Sequence, residues 1–251
     1  MSDSPATAAP VAPAANDLRG GAKHVAIIMD GNHRWARARH LPGAAGHRAG
    51  ARNVRRVAEA CADAGVECLT LFAFSTENWH RPRPEVSLLM DLMRSVLKND
   101  LEELHRRAVR LRVIGDRARF APDLQNQMAE AERRTEENGR MTLNIAANFG
   151  GRWDIVQAAR RLAQDHAAGR VALDAIDETR FESYLSLGAL PPPDLCIRTG
   201  GDHRISNFLL WDFAYTEFFF TTKYWPDFDD QAIQDALDSF VDRQRRYGRR
   251  G

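Results

Sequence analysis

From residue 24 onward, short apolar runs alternate with longer segments whose apolar positions recur at helical spacing. HVAIIM, His24 to Met29, is almost wholly apolar, as a strand covered on both faces should be, and is read as the first strand. Val54, Val57, Cys61 and Ala64 mark one face of a helix from about Gly46 to Ala64, which Gly65 terminates. Val66 to Phe74 is a second strand, followed by a loop through Pro82 and Pro84 and a helix from Glu85 to about Arg107. Val109 to Ile114 is the third strand; a helix from Pro122 to Glu137 then ends at the Asn138-Gly139 turn. The fourth strand is Met141 to Ala147, and helices at Trp153 to Ala168 and Glu178 to Ser186 lead to a fifth at Leu195 to Arg198. A sixth strand is expected at Glu217 to Thr221. The last helix opens near Asp229, where Asp227, Asp229 and Asp230 suit a helix start, and ends before Gly248. This alternation predicts an α/β fold, a parallel sheet with helices on its faces, in a single domain.

Composition narrows the function. The chain has 251 residues, 44% of them hydrophobic, enough for a sizeable core. Residues 1–20 are rich in Ala and Pro, without a basic start or a continuous apolar stretch; they are read as a disordered tail rather than a secretory signal, leaving 21–251 as the folded domain. A net charge of +1 gives no field for nucleic acid, so any anion site must be local. Cys61, Cys68 and Cys196 form no CxxC pair, which suits a reducing, cytoplasmic setting. The most apolar region, Phe208 to Phe220, is broken by Asp212 and Glu217 and falls short of the ~20 residues a membrane span needs, so membrane contact is expected to be peripheral at most. The basic residues from Arg243 to Arg250 are read as a solvated helix face, with weak membrane attraction as the lesser alternative.

Four polar clusters follow strand ends, where open α/β sheets bind ligands. They are Asp30-Gly31-Asn32-His33-Arg34-Trp35, Ser75-Thr76-Glu77-Asn78-Trp79-His80-Arg81, Asn148-Phe149-Gly150-Gly151-Arg152, and the run from Arg198 to Asn207. Glycines admit phosphate oxygens to backbone N–H groups and arginines bind phosphate bidentately, so the content points to diphosphate chemistry. Asp30 and Glu217 are hard oxygen donors of the kind that hold Mg2+ beside substrate phosphates. No P-loop, GxGxxG or DDxxD is present. Plainer roles compete at several positions. Asp30 would serve as a helix cap, Trp35 and Trp79 as core aromatics, and Arg198 and Arg204 as surface partners of Asp194 and Asp202. His33, His40 and His47 recur every seven residues, but Pro42 and Gly43 break the helix a zinc site would need; His47 is the functional candidate and the other two are expected to be exposed. Leu88, Leu89, Leu92 and Leu97 are core or cavity wall.

HVAIIMDGNHRWA, GHRAG, LFAFSTENWHRP, LNIAANFGGRWDI and IRTGGDHRISNFLLW, with YTEFFF and WPDF beyond, together resemble the cis-prenyltransferase family over residues 22–248. The resemblance implies a six-stranded, mainly parallel sheet flanked by helices, with a hydrophobic tunnel, in a homodimer. It implies repeated condensation of isopentenyl diphosphate onto farnesyl diphosphate, with cis double bonds, up to undecaprenyl diphosphate, a lipid carrier of cell-wall synthesis. A different product length, or a non-catalytic prenyl-diphosphate-binding subunit, are the alternatives. By the same resemblance Asp30 and Glu217 hold Mg2+; Gly31, Asn32, His33, Arg34, Trp35 and His47 line the allylic diphosphate site. Arg198, Arg204, Ile205 and Ser206 take isopentenyl diphosphate, and Ser75, Thr76, Glu77, Trp79 and Arg81 belong to a closing loop. Asn78 is the family's proton acceptor, although a neutral amide is a poor base and Asn78 would orient the released diphosphate equally well. Met141 corresponds to a tunnel-floor position. Many relatives carry an arginine where this chain has Gly43, which raises the expectation that Arg37, one turn from Arg34, supplies the absent charge.

Overall fold

The computed structural model describes residues 21–243; the expected tail at 1–20 and the basic residues from 244 to 250 lie outside the described residues, and the last helix ends at Asp242, with Arg243 already extended. Six strands, β1 (His24–Ile28), β2 (Cys68–Ser75), β3 (Val109–Ile114), β4 (Met141–Phe149), β5 (Leu195–Arg198) and β6 (Glu217–Phe220), form one sheet in the order β3-β4-β2-β1-β5-β6. Every pairing is parallel, so the expected "mainly parallel" sheet is wholly so. Both faces are covered. Val25, Ile27, Leu69, Leu71, Leu143 and Ile197 belong to one core, while Ala26, Ile28, Ala146 and Cys196 belong to the other. This is why the strands read as apolar runs without alternation.

The helices are α1 (Asn32–Ala38), α2 (Gly43–Asp63), α3 (Arg83–Asn99), α4 (Leu101–Arg106), α5 (Pro122–Arg134), α6 (Gly151–Ala167), α7 (Glu178–Glu182) and α8 (Asp230–Asp242). The helix α2 begins three residues before its expected start because Pro42 occupies the position ahead of the first turn. The segment expected as one helix from Glu85 to Arg107 is two, divided at Asp100, where a residue with φ −98° ends α3 and opens α4. Asp229 caps α8 by accepting from the Ala232 N–H at 3.0 Å, as its acidic start suggested. Among the described residues no helix is long and apolar enough to cross a membrane.

A buried polar ladder pins the strands at their amino ends. The fully buried His24 contacts the Pro191 carbonyl through Nδ1 at 2.6 Å and Thr70 Oγ1 through Nε2 at 2.8 Å, and Asn144 donates to Thr70 at 3.0 Å. Burial lowers the His24 pKa below its ordinary 6.5, against the opposing pull of the Pro191 carbonyl and Asp194. The unfolded chain therefore takes up its proton first, so this stabilisation is complete above 6.5 and declines as pH falls through the window beneath it. The thermal midpoint is expected to drop on acidification from neutral pH to about pH 5. His24→Gln should give a shallower drop, measured against its own neutral-pH midpoint; an unchanged slope would assign the effect elsewhere.

Candidate active site

The strand order reverses between β1 and β5, and the crevice at their carboxyl ends is where such a sheet binds ligands. Ile28 and Arg198 are register partners there, so the segments beginning at Asp30 and Thr199 emerge side by side. Thr199 Oγ1 accepts from the Asp30 N–H at 2.9 Å and donates to the Asp30 carbonyl at 2.7 Å. Gly200, at φ +88°, completes the contact: a Cβ there would sit 2.8 Å from Arg34 Nη2 and 3.1 Å from the Asp30 carbonyl carbon.

Charge is concentrated at this junction. Asp30 pairs with Arg198 at 2.9 Å and Arg34 at 3.0 Å, while Asp202 contacts Arg34 and Arg198 at 3.4 Å each and Arg204 at 3.0 Å. Arg198 is 3% exposed, donates to Ser206 Oγ at 2.7 Å and to the Arg204 carbonyl, and keeps a buried Nε without a hydrogen-bond partner. Burial would raise the Asp30 pKa, but hydrogen bonds from Arg198 and Arg34 outweigh it and hold the carboxyl below the ordinary range. Asp30 is not the helix cap: Gly31 holds that position, and among the described residues the only backbone N–H the Asp30 carboxylate accepts from is that of Gly31. Arg198 and Arg204 do pair with Asp202, but Asp194 is spent on the Lys23 and His24 N–H groups at the opposite end of the sheet.

The segment after β2 reaches over this junction. Ser75 and Asn78 close a capping box, with Asn78 Oδ1 accepting from the Ser75 N–H at 3.1 Å. The amide oxygen of Asn78 is thereby engaged, and its NH2 group is what remains for a ligand. Asn207 donates to Glu77 at 2.9 Å and accepts from the Arg152 N–H at 3.0 Å, tying together the loops after β2, β4 and β5. Gly150 lets them meet, since a Cβ there would lie 2.7 Å from Asn207 Nδ2 and 2.9 Å from Thr76 Oγ1. On the other flank Glu85 holds Arg81 at 2.8 Å and lies 3.3 Å from His47 Nε2; burial lowers the His47 pKa and favours the neutral ring.

One polar pocket of about 780 Å³ gathers Asp30, Gly31, Asn32, His33, Arg34, His47, Ser75, Glu77, Asn78, Arg81, Arg198, Arg204 and Ser206 from the sequence-based set. Five expected residues lie elsewhere. Trp35 turns away to donate to Asp227 at 2.7 Å beneath the Arg39 guanidinium, and Trp79 donates to Asn148 at 2.8 Å while packing on Phe74 and Phe120. Thr76 abuts Gly150, and Ile205 packs on the second core. Glu217 pairs in register with Leu195, at the amino end of β5, so about 10 Å of strand separates it from the rim; its carboxylate lies 3.4 Å from Arg243. Within this chain, then, Glu217 is not a companion ligand to Asp30. Asn207 and Glu85 were not singled out from the sequence, and Asp202 was named there only as a surface partner of the arginines. Asp202 and Asn207 stand inside the quoted clusters, and Glu85 follows Arg81 at the i,i+4 spacing of an ion pair.

Arg37 is exposed and lies outside the pocket, and the space beside Gly43 is filled by the His33 ring, 2.7 Å from where a Cβ would stand. The compensation expected of Arg37 is therefore absent. Arg37→Ala should leave affinity for a non-hydrolysable farnesyl thiodiphosphate within twofold of the parent, roughly the margin for a solvated surface charge; a tenfold loss measured by calorimetry would reinstate it.

The polar pocket continues into an apolar cavity of about 140 Å³, the two sharing Met29, Asn32, His47, Phe72, Ala73 and Leu89. Its walls are α2 on one side and α3 with α4 on the other, so Leu89, Leu92 and Leu97 are wall residues, whereas Leu88 is not. At the far end stand Leu104, Leu111 and Leu143; Met141 lies one step deeper on the same face of β4, 1% exposed.

Residues 28–248 match the family model described as "Putative undecaprenyl diphosphate synthase". The ditrans,polycis-undecaprenyl-diphosphate synthase of Pseudomonas aeruginosa, named (2E,6E)-farnesyl-diphosphate specific, is 56% identical over 227 residues, 90% of each chain. The enzyme of the same name from Salmonella typhimurium is 53% identical over 228 residues, 91% of this chain and 90% of its own. Among solved structures, lavandulyl diphosphate synthase from Lavandula x intermedia, in complex with dimethylallyl diphosphate, superposes with a TM-score of 0.89 at 37% identity, covering 91% of this chain and 99% of that one. With a wholly parallel sheet, an arginine-lined rim over an apolar cavity, and relatives matched along nine-tenths of its length, this chain belongs to the cis-prenyltransferase family.

Proposed function

We propose that the protein condenses isopentenyl diphosphate repeatedly onto farnesyl diphosphate, setting cis double bonds and ending at undecaprenyl diphosphate. The observation that carries this reading is the direct junction of the arginine-rich pocket with the apolar cavity through six shared residues. An allylic diphosphate bound at Arg34, beside the shared Asn32 and His47, would send its hydrocarbon tail past Phe72 and Leu89 between α2 and α3. That cavity is the start of the expected tunnel.

Asp30 fits a magnesium site of the kind in which one carboxylate joins substrate phosphate oxygens and water. When bound, Mg2+ would neutralise charge on the departing diphosphate. For Asp30 to serve, Arg34 and Arg198 must turn from it toward the diphosphate, and an incoming anion provides that exchange. In the reaction the allylic C–O bond breaks with its electrons leaving on diphosphate. The isopentenyl double bond then attacks the allylic C1, and a C2 proton is lost. Arg198 and Arg204, with Ser206, hold the isopentenyl diphosphate; Arg34, with Asn32 and His47, faces the allylic one. Asn78, its oxygen engaged by Ser75, offers an N–H donor suited to orienting the diphosphate oxygen that receives the proton. The loop Ser75 to Arg81 would exclude water on closing.

A second copy of the chain is proposed to cover the β6 edge, beside which Tyr215 is 76% exposed. The decisive experiment incubates the purified protein with labelled isopentenyl diphosphate, farnesyl diphosphate and Mg2+ and resolves the products by length. A ladder ending at undecaprenyl diphosphate is expected; no elongation would reject the reading, and another end point would correct the product.

A further inference from the structure

Three guanidiniums converge on one carboxylate oxygen. Asp202 Oδ2 lies 3.4 Å from Arg34, 3.4 Å from Arg198 and 3.0 Å from Arg204, and among the described residues no other carboxylate contacts all three. Arg34 comes from α1, Arg198 from the end of β5, and Arg204 from the loop beyond it. We propose that Asp202 is a specificity-determining residue, an internal stand-in for a phosphoryl group: it holds the three arginines in the ligand-free protein and yields them only to a diphosphate. This rests on the diphosphate reading above.

The geometry favours release over permanent pairing. Charge-assisted N–H···O bonds close to about 2.7–2.9 Å when optimised, and two of these three stand at 3.4 Å. The space beside Gly201, where a Cβ would meet nothing nearer than 3.9 Å, leaves the adjoining Asp202 side chain room to swing while the Gly200 and Gly201 N–H groups stay bonded to the Lys223 and Thr221 carbonyls. The buried Arg198 Nε, without a hydrogen-bond partner, shows that the guanidinium has donor capacity beyond what Asp30 and Asp202 use.

Charge explains the selectivity. Three arginines face two carboxylates, Asp30 and Asp202, leaving one net positive charge. A single phosphate must compete with Asp202 for donors and gains little by displacing it. Diphosphates bring more oxygens and more charge than a phosphate, and one at Arg34 with another at Arg198 and Arg204 together replace the carboxylate on all three. Remove the charge of Asp202 and the arginines become a general anion site.

The test uses the full chain in EDTA at fixed low salt, titrating inorganic pyrophosphate and inorganic phosphate into wild type, Asp202→Asn and Asp202→Glu. Asp202→Asn should bind both anions more tightly, phosphate by the larger factor, so that the preference for pyrophosphate shrinks about tenfold. Asp202→Glu, which keeps the charge, should retain the wild-type preference. An unchanged preference in Asp202→Asn, weaker pyrophosphate binding by that variant, or the same loss of preference in Asp202→Glu would each overturn the stand-in role. Failure of the wild type to bind pyrophosphate at all would reject the underlying diphosphate reading as well.

Discussion

Asp30→Ala is expected to lower turnover by roughly 10²–10³-fold or more, the scale seen when an electrostatic contact made to developing charge is removed. The carboxylate stands at the switch point between β1 and β5, paired to the two arginines that an incoming diphosphate would claim. Its loss removes the acidic donor proposed for magnesium. The fold should survive, because the side chain is 29% exposed and Asp202 remains beside Arg198, whose burial would otherwise leave a charge unpaired. Circular dichroism and a thermal melt of the variant should therefore resemble the parent, and EDTA should silence the parent to the same degree. Because hydrogen bonds from Arg198 and Arg34 hold the Asp30 pKa below its ordinary 3.8, its contribution to stability is present above that value and is lost as pH falls beneath it. The carboxylate is thus ionised throughout the neutral range. Turnover near the parental rate in Asp30→Ala would remove it from the mechanism.

Met141→Ala is expected to move the products toward longer chains without changing the rate of the first condensation. A cavity of about 140 Å³ is close to the engineered ~150 Å³ cavity that accommodates benzene, so the space holds about one five-carbon unit. Longer chains must part α2 from α3, and α3 is suited to give way, with Leu97 its only buried residue. The strands cannot move in the same manner. Growth along them ends at Leu111 and Leu143, with Met141 in the layer behind. Truncating Met141 creates a void there that a relaxing Leu143 can open to the growing chain, at about 2–5 kcal/mol of stability. Chromatography of the products decides: an unchanged length distribution would place the end of the tunnel at Leu101 and Leu104, on the α4 wall.

The order of the strands and helices was legible in the chain because a strand buried on both faces must be apolar throughout, and an amphipathic helix must repeat its apolar stripe. His24 to Ile28 and Leu195 to Arg198 show the first, and Val54, Val57 and Cys61 the second. The junction of the polar clusters was also legible, since parallel strands place every carboxyl end on one edge of the sheet. Asp30, Asn78, Arg198 and Arg204 accordingly share one pocket.

What only the tertiary structure decided is where each side chain within a cluster points. Trp35 and Trp79 stand inside polar loops, yet each ring lies away from the pocket because Asp227 and Asn148 capture the indole N–H. Glu217 is the one acidic residue of its strand, but the register of β6 on β5 puts it at the wrong end of the sheet for Asp30. Asp202 reads as one acidic residue among arginines and becomes the meeting point of three only when α1 is laid beside the loop after β5. Periodicity is a property of neighbours along the chain, so sequence carries it. Contacts across |i−j| of 168, as between Arg34 and Asp202, depend on strand order and register, which no local pattern encodes.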